Sequence, residues 1–381
     1  MSDAWAMRAG RLFDGEAFVD ETTVVVRDGT VVELTREAPG LPLTDLGDDV
    51  TLMPGLVDAH VHLSFDASFD LVAGFAVDDE QLLERMRESA AITLAAGVTT
   101  VRDLGDRSFL AARLGRELAD LTVLAAGAPL TTPGGHCYFL GGEVADRAQM
   151  LAAVNARAEA GCSVVKVMVS GGNITPGSLP WEAQFEVEDL RAIVEEAHRL
   201  GMRTAGHVHG VSSVAAALDA GFDTLEHVTF MTPDGIDPQP DLLKRIVDTG
   251  TVISATAGST PGAVPPPAIA ARLALVRDML GQLHADGGRM IVGTDAGVGP
   301  GKPHGVLPNA LRDLVDAGIA SDVGLAMMTS LSADALGLAG TKGSLTAGAD
   351  ADLLAVRGDP TADAEAMLDV VGVWARGARV R

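Results

Sequence analysis

The stretch "VEDLRAIVEEAHRLGMRTAGH", from Val187 to His207, contains the pattern that decides the fold. The apolar residues of its first half recur at steps of three and four, as on one face of an α-helix: Val187, Leu190, Val194, Ala197 and Leu200. Gly201 then supplies the left-handed residue that commonly ends a helix, and the apolar run after it predicts a strand. The segment therefore predicts a helix that leads into a β-strand.

The same unit recurs along the chain, for example as "AGCSVVKV", "AGFDTLEH", "TGTVISA" and "DGGRMIVGTD". Strands are predicted to begin near Leu56, Thr99, Leu121, Val164, Arg203, Thr224, Val252 and Met290. Strands that alternate with helices in this way predict a parallel sheet, and eight repeats favour a closed (β/α)8 TIM barrel of the α/β class. The GxGxxG turn of a dinucleotide-binding fold is missing after the first strand.

Both ends of the chain have a different pattern. "TTVVVRDGTVVEL" alternates around an Asp-Gly turn and predicts a hairpin, and "DADLLAVRGDP" and "DVVGVWARGARV" predict further strands. We expect a small β-sandwich domain built from residues 1–53 and 344–381, which flanks a barrel domain of residues 54–343. The loops Ser170–Pro180 and Ser259–Ala268 follow strands and are predicted lids.

The composition restricts the class of partner. The chain has 381 residues and a formal net charge of -24, which argues against nucleic acid and anionic membranes as partners and favours a small-molecule substrate. Two cysteines are too few for a disulfide scaffold. The sequence shows no leader peptide and no membrane-spanning run, so we expect a cytoplasmic protein. Whether it forms a homo-oligomer stays open.

Histidines end several of the predicted strands. His60 and His62 share the parity of the first strand, so their rings point the same way, as two ligands of one cation require. His207, His227 and Asp295 end other strands, and the strand ends of a barrel meet at one mouth. Imidazole and carboxylate ligands suit Zn and similar divalent ions. Taken alone, the His-x-His pair is equally compatible with two hydrogen-bonded core histidines.

Lys166 lies in the apolar strand "SVVKVMV", where an unpaired ammonium is costly and tends to lose its proton. A neutral amine can react with CO2 to form an anionic carbamate that bridges two metal ions. A Schiff-base lysine and a salt-bridged structural lysine are the alternatives, although Schiff-base chemistry has no need of the surrounding histidines.

Asp295 follows the last predicted strand in "MIVGTDAG". Metal binding lowers the pKa of water to about 7, and this carboxylate is the natural acceptor for the proton of such a water. We expect it to orient the metal-bound hydroxide and to return the proton to the leaving group. A structural Asp that caps a turn or a helix is the alternative.

Several segments together resemble the amidohydrolase superfamily, and within it the prolidase-like (Xaa-Pro dipeptidase) and imidazolonepropionase-like enzymes. They occur in order over nearly the whole chain: "MPGLVDAHVHL", "AAGVTTVRDLGD", "VVKVMVSGGN", "EEAHRLGMRTAGHVHG", "AGFDTLEH", "GTDAG" and "GSLTAGADADLLAV". The resemblance implies a (β/α)8 barrel with a flanking β-sandwich, and commonly two Zn ions bridged by a carboxylated lysine.

The resemblance also implies roles for single residues. His60, His62 and Asp295 would hold the first metal ion, His207 and His227 the second, and the carbamate of Lys166 would bridge the two. In similar enzymes the histidine at position 136 faces the carboxylate of the substrate. His209 and Tyr138 are predicted to take part in catalysis and to contact the substrate, Tyr138 as a donor to an oxyanion. His304 is a further predicted substrate contact. Arg102 and Asp103, which end the second strand, are predicted to form an ion pair at the barrel mouth.

The sequence departs from the family pattern in places that bear on the substrate. Relatives often have a Glu where this chain has Ala310, and the "HAE" strand ending of imidazolonepropionases is replaced by "HVHG". The resulting hypothesis is a metal-dependent hydrolase of the C–N amide bond in a dipeptide (Xaa-Pro-like) or an N-acyl amino acid. A cyclic amide, carbamate, lactone or phosphotriester is the alternative substrate of the same site. A non-catalytic binding protein is the third hypothesis, and such relatives usually lose metal ligands.

Overall fold

The computed structural model describes residues 4–37, 40–265 and 267–381. The N-terminal part consists of short strands: β1 (Ala4–Arg8), β2 (Arg11–Phe13), β3 (Phe18–Val19), β4 (Thr23–Arg27), β5 (Thr30–Thr35), β6 (Leu43–Asp45) and β7 (Val50–Pro54). The predicted hairpin is the antiparallel pair β4–β5, and Asp28 and Gly29 at its turn both have positive φ angles.

The central part contains eight strands that alternate with helices along most of their length: β8 (Leu56–Val61), β9 (Val98–Asp103), β10 (Thr122–Ala125), β11 (Val164–Met168), β12 (Arg203–Val208), β13 (Thr224–His227), β14 (Val252–Thr256) and β15 (Met290–Gly293). Each begins within one residue of its predicted start. All of the ladders between neighbouring strands are parallel, which confirms the α/β class.

These strands form two sheets rather than one continuous ladder. The first has the order β10-β9-β8 and the second the order β11-β12-β13-β14-β15. Two seams join them. At one seam Leu130, outside any strand, exchanges backbone hydrogen bonds of 2.8 Å with Lys166 and Met168. At the other seam the His62 amide donates to Ala296, and the Asp295 amide donates to His60 over 2.7 Å. The strand order is that of a barrel, but the ladder is interrupted at both seams.

The helices follow the strands and cover them: α1 (Leu71–Gly74), α2 (Asp79–Ala95), α3 (Leu110–Glu117), α4 (Arg147–Ala160), α5 (Val187–Arg199), α6 (Val211–Ala220), α7 (Pro240–Thr249), α8 (Pro267–Ala285), α9 (Ala310–Asp316), α10 (Ser321–Met327) and α11 (Ser330–Ala335). Short 3-10 helices cover Tyr138–Leu140, Leu307–Asn309 and Ala364–Leu368. In α5 the face predicted from the sequence buries Leu190, Val194 and Ala197, and Gly201 has φ +76°. None of the helices in the described ranges is long and apolar enough to cross a membrane.

The C-terminal strands are β16 (Leu353–Arg357), β17 (Val370–Ala375) and β18 (Ala378–Arg379). β16 pairs antiparallel with β7, so both ends of the chain contribute to one six-stranded sheet of order β18-β17-β16-β7-β2-β3. The other N-terminal strands form a four-stranded sheet of order β5-β4-β1-β6. Residues of both ends share a hydrophobic cluster that includes Leu12, Leu52 and Leu353.

The predicted domain boundaries stay a prediction, because buried residues from both terminal segments, such as Phe13 and Val373, also pack into the core of the central part. Residues 1–3, 38 and 39 of the predicted β-sandwich domain and residue 266 of the predicted lid at Ser259–Ala268 lie outside the described ranges.

Candidate functional site

The first cluster of the site consists of His60, His62 and Asp295, which lie on either side of the β8–β15 seam. One ligand atom from each of the three residues lies within 4.8 Å of the others. Asp295 Oδ1 is 3.4 Å from His60 Nε2 and 3.2 Å from His62 Nε2. All three residues are largely or fully removed from solvent, although 19% of the Asp295 side chain stays exposed.

The hydrogen bonds at Nδ1 of His60 and His62 determine the protonation of Nε2, the ring nitrogen that faces Asp295. His60 Nδ1 lies 3.0 Å from the Glu226 carboxylate, and His62 Nδ1 lies 3.2 Å from the Gly105 carbonyl oxygen. Both partners are acceptors, so each Nδ1 carries the proton and each Nε2 presents a lone pair. Two lone pairs and a carboxylate oxygen therefore converge on one point, which is the arrangement that a cation stabilises.

The second cluster contains three histidines: His207, His209 and His227, whose ligand atoms also lie within 4.8 Å of one another. His207 Nε2 lies 3.2 Å from the carbonyl oxygen of Gly171, which leaves Nδ1 as its free lone pair. His209 and His227 each place Nδ1 against a threonine hydroxyl, at 2.8 Å from Thr229 and 2.7 Å from Thr256. His209, predicted as a catalytic residue and a substrate contact but not as a metal ligand, therefore lies among the potential ligands.

The two clusters are neighbours. The ring centroids of His60 and His227 are 5.1 Å apart, and those of His60 and His62 are 5.2 Å apart. The predicted ligands from the first, fifth, sixth and last central strands are thus brought to one place, at the carboxyl ends of the parallel strands.

Lys166 on β11 is fully buried, with 1% of its surface exposed. Its Nζ has no hydrogen-bond partner within the described part of the chain. Burial lowers the pKa of this amine to about 8, against the fields of Glu226 and Asp295, which favour the ammonium. A salt-bridged structural lysine, one of the alternatives from the sequence, is not what the structure contains.

Burial also lowers the pKa of the histidines, to about 4 for His60 and His209, and well below the ordinary value for His207 and His227. Neutral imidazole is the form that binds metal ions. Burial opposes the ionisation of Asp295, yet the charge of His60 when its ring is protonated, and a hydrogen bond from the His62 ring when its Nε2 carries a proton, hold the pKa of this carboxyl well below the usual range.

Two of the candidate ligands have a strained backbone. His227 has φ +70° and Asp295 has φ +60°, in the left-handed region that side chains other than glycine rarely adopt. Such outliers persist where the surrounding structure fixes them, and they cluster at functional sites. Each cluster thus contains one such residue, although eight other described residues that are not glycine also have positive φ angles.

A buried polar network supports the first cluster, and the sequence did not reveal it. Arg102 donates to Glu226 over 2.8 Å, to the Thr224 hydroxyl over 2.9 Å and to the Ala59 carbonyl oxygen over 2.6 Å. Glu226 in turn accepts from His60, and all of these side chains are buried. Burial disfavours the Glu226 carboxylate, but the charge of Arg102 and the hydrogen bond from His60 hold its pKa well below the ordinary value.

The predicted ion pair between Arg102 and Asp103 is therefore wrong. Arg102 pairs with Glu226, while Asp103 accepts from the backbone amides of Leu63 and Gly105. The physical reason is strand geometry, because adjacent residues of a strand point to opposite sides of the sheet.

The other three predicted substrate contacts differ in their burial and in the residues that they contact. His136 is buried with its ring 4.9 Å from that of His207, and its Nδ1 has no partner among the described residues. His304 places Nε2 2.9 Å from the Phe65 carbonyl oxygen, next to the ring that stacks on His62 at 4.8 Å. Tyr138 is 43% exposed with its ring 6.2 Å from Phe139, so it lies at the rim.

The fold and these clusters define a class that comparison with known proteins identifies. The model of the amidohydrolase family matches residues 51–380, so the chain belongs to this family of hydrolases.

The chain is also similar to individual proteins whose sequences or structures are known. Ochratoxinase from Aspergillus niger is 31% identical over 208 residues, which cover 47% of this chain and 43% of that protein. The chain thus spans less than half the length of this curated relative in the match. A crystal structure of a Xaa-Pro dipeptidase with bound methionine in its active site is 26% identical, with a TM-score of 0.88 over 99% of both chains. The crystal structure of A. niger ochratoxinase, at 23% identity and TM-score 0.83 over 100% of this chain and 96% of that one, shows the same fold.

Proposed function

We propose that the chain is a metal-dependent amidohydrolase that cleaves the C–N bond of a dipeptide, Xaa-Pro-like, or of an N-acyl amino acid. The observation that carries the proposal is the convergence of three electron-pair donors, His60 Nε2, His62 Nε2 and Asp295 Oδ1, beside a second cluster of three imidazoles. Membership of the amidohydrolase family and the likeness to a Xaa-Pro dipeptidase support it.

The residues present fit two divalent ions, with Zn as the expected metal. His60, His62 and Asp295 would hold one ion, and His207 and His227, with His209 at hand, would hold the other. The buried amine of Lys166, which lacks a hydrogen-bond partner, fits a bridging role once it is a carbamate. That carbamate forms when the neutral amine adds to CO2 and releases a proton. Bound divalent ions supply Lewis acidity and lower the pKa of water.

Asp295 is the residue best placed to move a proton. Its Oδ1 faces the two histidines, and 19% of its side chain is exposed. A carboxylate whose pKa is held low is ionised at neutral pH, so it can accept a proton from water at Oδ2 and deliver it to the leaving nitrogen. Glu226 and Arg102 keep His60 oriented, and they keep its Nε2 free of a proton.

The eight central strands, on this proposal, act as a (β/α)8 barrel whose mouth holds the site. His136, buried beside His207, is the candidate for the carboxylate of the substrate, and His304 and Tyr138 are candidates for outer contacts. None of these three side chains belongs to a cluster of potential ligands in the described structure.

The test is hydrolysis by the full chain before and after its metal is removed. Xaa-Pro dipeptides, other dipeptides and N-acetyl amino acids would be assayed with Zn or Mn, beside matched lactones, carbamates, cyclic amides and phosphotriesters. We expect amide cleavage that falls by at least about 100-fold on chelation and returns with the metal. Turnover that chelation leaves unchanged, or cleavage of none of the amides, would overturn the proposal.

A further inference from the structure

A cavity of about 330 Å³ lies beside the second cluster. It is enclosed by the loop of residues 171–181 after β11, by the loop after β13, and by α8. Apart from Arg272, the large side chains that line it are apolar, and they include Leu179, Pro180, Trp181, Met231, Pro233 and Ile269. A cavity of this size and lining is typical of a site for a small organic group.

The walls of the cavity are continuous with the histidines of the site. The Gly171 carbonyl oxygen accepts from His207, and the next residue, Gly172, lies so close to His136 that a Cβ there would come within 2.3 Å of its Nε2. On the other side the Met231 amide donates to the His209 carbonyl oxygen over 2.8 Å. A substrate whose scissile bond lies at the clusters therefore has the cavity next to it.

The charge inside the cavity is already used by the protein. Arg272 is the one charged residue among the described lining residues. Its guanidinium donates to the carbonyl oxygens of Thr232, Pro233 and Gly235, at 2.9, 2.8 and 3.0 Å. These bonds join α8 to the loop after β13, so Arg272 fixes a wall of the cavity rather than offering its donors to a ligand. The other polar lining groups, Asn173, Thr175 and Ser178, are neutral.

We infer that this cavity binds a bulky, uncharged apolar group, aromatic or branched aliphatic, on one side of the scissile amide. A cationic group would lose its hydration beside the guanidinium of Arg272, and an anionic group would lose its hydration beside donors that already bind three carbonyl oxygens. An apolar group, in contrast, would be removed from water against Leu179, Trp181 and Met231. The preferred substrates are then amides with such a side chain. The inference names the substrate class of the proposed hydrolase and rests on that function.

The kinetic test uses Gly-Xaa and Xaa-Gly dipeptides in which Xaa is Gly, Leu, Phe, Asp or Lys, with the metal-loaded full chain. In one of the two series we expect kcat/KM for Leu or Phe to exceed that for Asp or Lys by about 10- to 100-fold, the effect of burying one large apolar side chain. Equal values for charged and apolar side chains in both series would overturn the inference while leaving the hydrolase intact.

A pair of matched variants locates the preference. Leu179→Glu places a carboxylate at the cavity, and Leu331→Glu makes the same change on α11, where the side chain is similarly exposed, 43% against 36%. We expect Leu179→Glu to lower the ratio of Phe to Gly kcat/KM by about 10-fold, and Leu331→Glu to preserve that ratio. A ratio that both variants change alike would contradict the placement.

A binding measurement is independent of hydrolysis. Trp181 lines the cavity, so its fluorescence should change when the uncharged probe 3-phenylpropanol binds. We expect a saturable change that weakens in Leu179→Glu and is lost in Trp181→Phe. A response that persists in Trp181→Phe, or no response, would count against the cavity as a binding site. If the probe binds but no amide is cleaved, the proposed function fails and the cavity assignment stands.

Discussion

The two histidine clusters have the same number of candidate ligands but differ in what orients them. In the first cluster, His60 is hydrogen-bonded to Glu226, a buried carboxylate whose charge is balanced by Arg102. In the second cluster, His209 and His227 are hydrogen-bonded to the neutral hydroxyls of Thr229 and Thr256. Only the first cluster contains a carboxylate of its own, Asp295.

Because of this difference, the two clusters are suited to different tasks in binding and proton transfer. A carboxylate behind an imidazole raises its basicity and fixes its tautomer, and a carboxylate beside it can hold a proton. The first cluster therefore has the groups for tight binding and for proton transfer. The second cluster, with neutral partners, has groups that orient ligands and leaves the charge balance to the Lys166 carbamate that we propose.

The largest effect is expected from Asp295→Asn, which keeps the size of the side chain but removes its capacity to accept a proton. We expect kcat to fall by about 10²- to 10⁴-fold on the best amide substrate. Steady-state kinetics measure it, and the thermal midpoint of unfolding controls for misfolding. A variant that folds and retains most of its kcat would show that the proton is moved by another group.

The next effect concerns Lys166, where Lys166→Met removes the buried amine. We expect the metal-free variant to be more stable than the wild type by about 1–3 kcal/mol, because a buried polar group without a partner is costly. We also expect the bound metal to fall from about two ions to about one per chain. Denaturant unfolding and elemental analysis measure the two results. Unchanged metal content would contradict the bridging role.

Glu226→Gln tests the support behind the first cluster, with Thr256→Val as the matched change behind the second. Glu226→Gln leaves the buried Arg102 without its counter-charge, which costs about 3–5 kcal/mol of stability, and we expect metal affinity or activity to fall by about 10- to 100-fold. Thr256→Val removes a neutral partner of His227 and should cost about 1–3 kcal/mol. Metal titration and denaturant unfolding measure both variants.

A double variant sharpens the same comparison. Replacing Arg102 and Glu226 together by methionine removes both charges, so it should destabilise the chain less than Glu226→Gln alone. If the double variant is the less stable of the two, the pair contributes to stability beyond its charge balance.

The smallest expected effect is a pH dependence of stability caused by the buried Asp106. Burial raises the pKa of Asp106 well above its ordinary value, so the folded chain holds this proton at pH values where the unfolded chain has lost it. The contribution to stability is then fully present below the unfolded pKa of about 4, and it is lost as the pH rises through the raised folded value.

Asp106→Asn, which stays neutral, should therefore stabilise the chain relative to the wild type by an amount that grows as the pH rises above about 4. Thermal unfolding across pH measures it, and the same change at the exposed Asp48 controls for the loss of one negative charge. A difference that is constant with pH would contradict the role of burial.

The sequence predicted the central strands well because their signals are local. A glycine after a helix and a β-branched run after the glycine lie within a few residues of each other, so each strand start was placed within one residue. The seams were not predicted, because Leu130 and Ala296 lie outside the strands and pair with residues whose proximity depends on the whole fold.

The candidate ligands were found in the same way, from strand ends and parity. His209 shares the parity of His207, and its place in the second cluster could have been anticipated from that alone. The pairing of Arg102 with Glu226 joins β9 to β13, which are 124 residues apart in the chain, and no local pattern reports it. The alternation of side chains along a strand already argued against the predicted ion pair, because Arg102 and Asp103 are adjacent and point to opposite sides of the sheet.

The first cluster lies across the seam between β8 and β15, so it can affect how firmly these two strands are held together. His60 and His62 lie on one side of this seam and Asp295 on the other. The backbone hydrogen bonds across it include those from His62 to Ala296 and from Asp295 to His60. A cation held by the three side chains would link the first central strand to the last. The free energy of cation binding would then also stabilise the contact between these two strands. Amide hydrogen exchange at His62 and Asp295 would then slow on metal binding, ahead of the rest of the core.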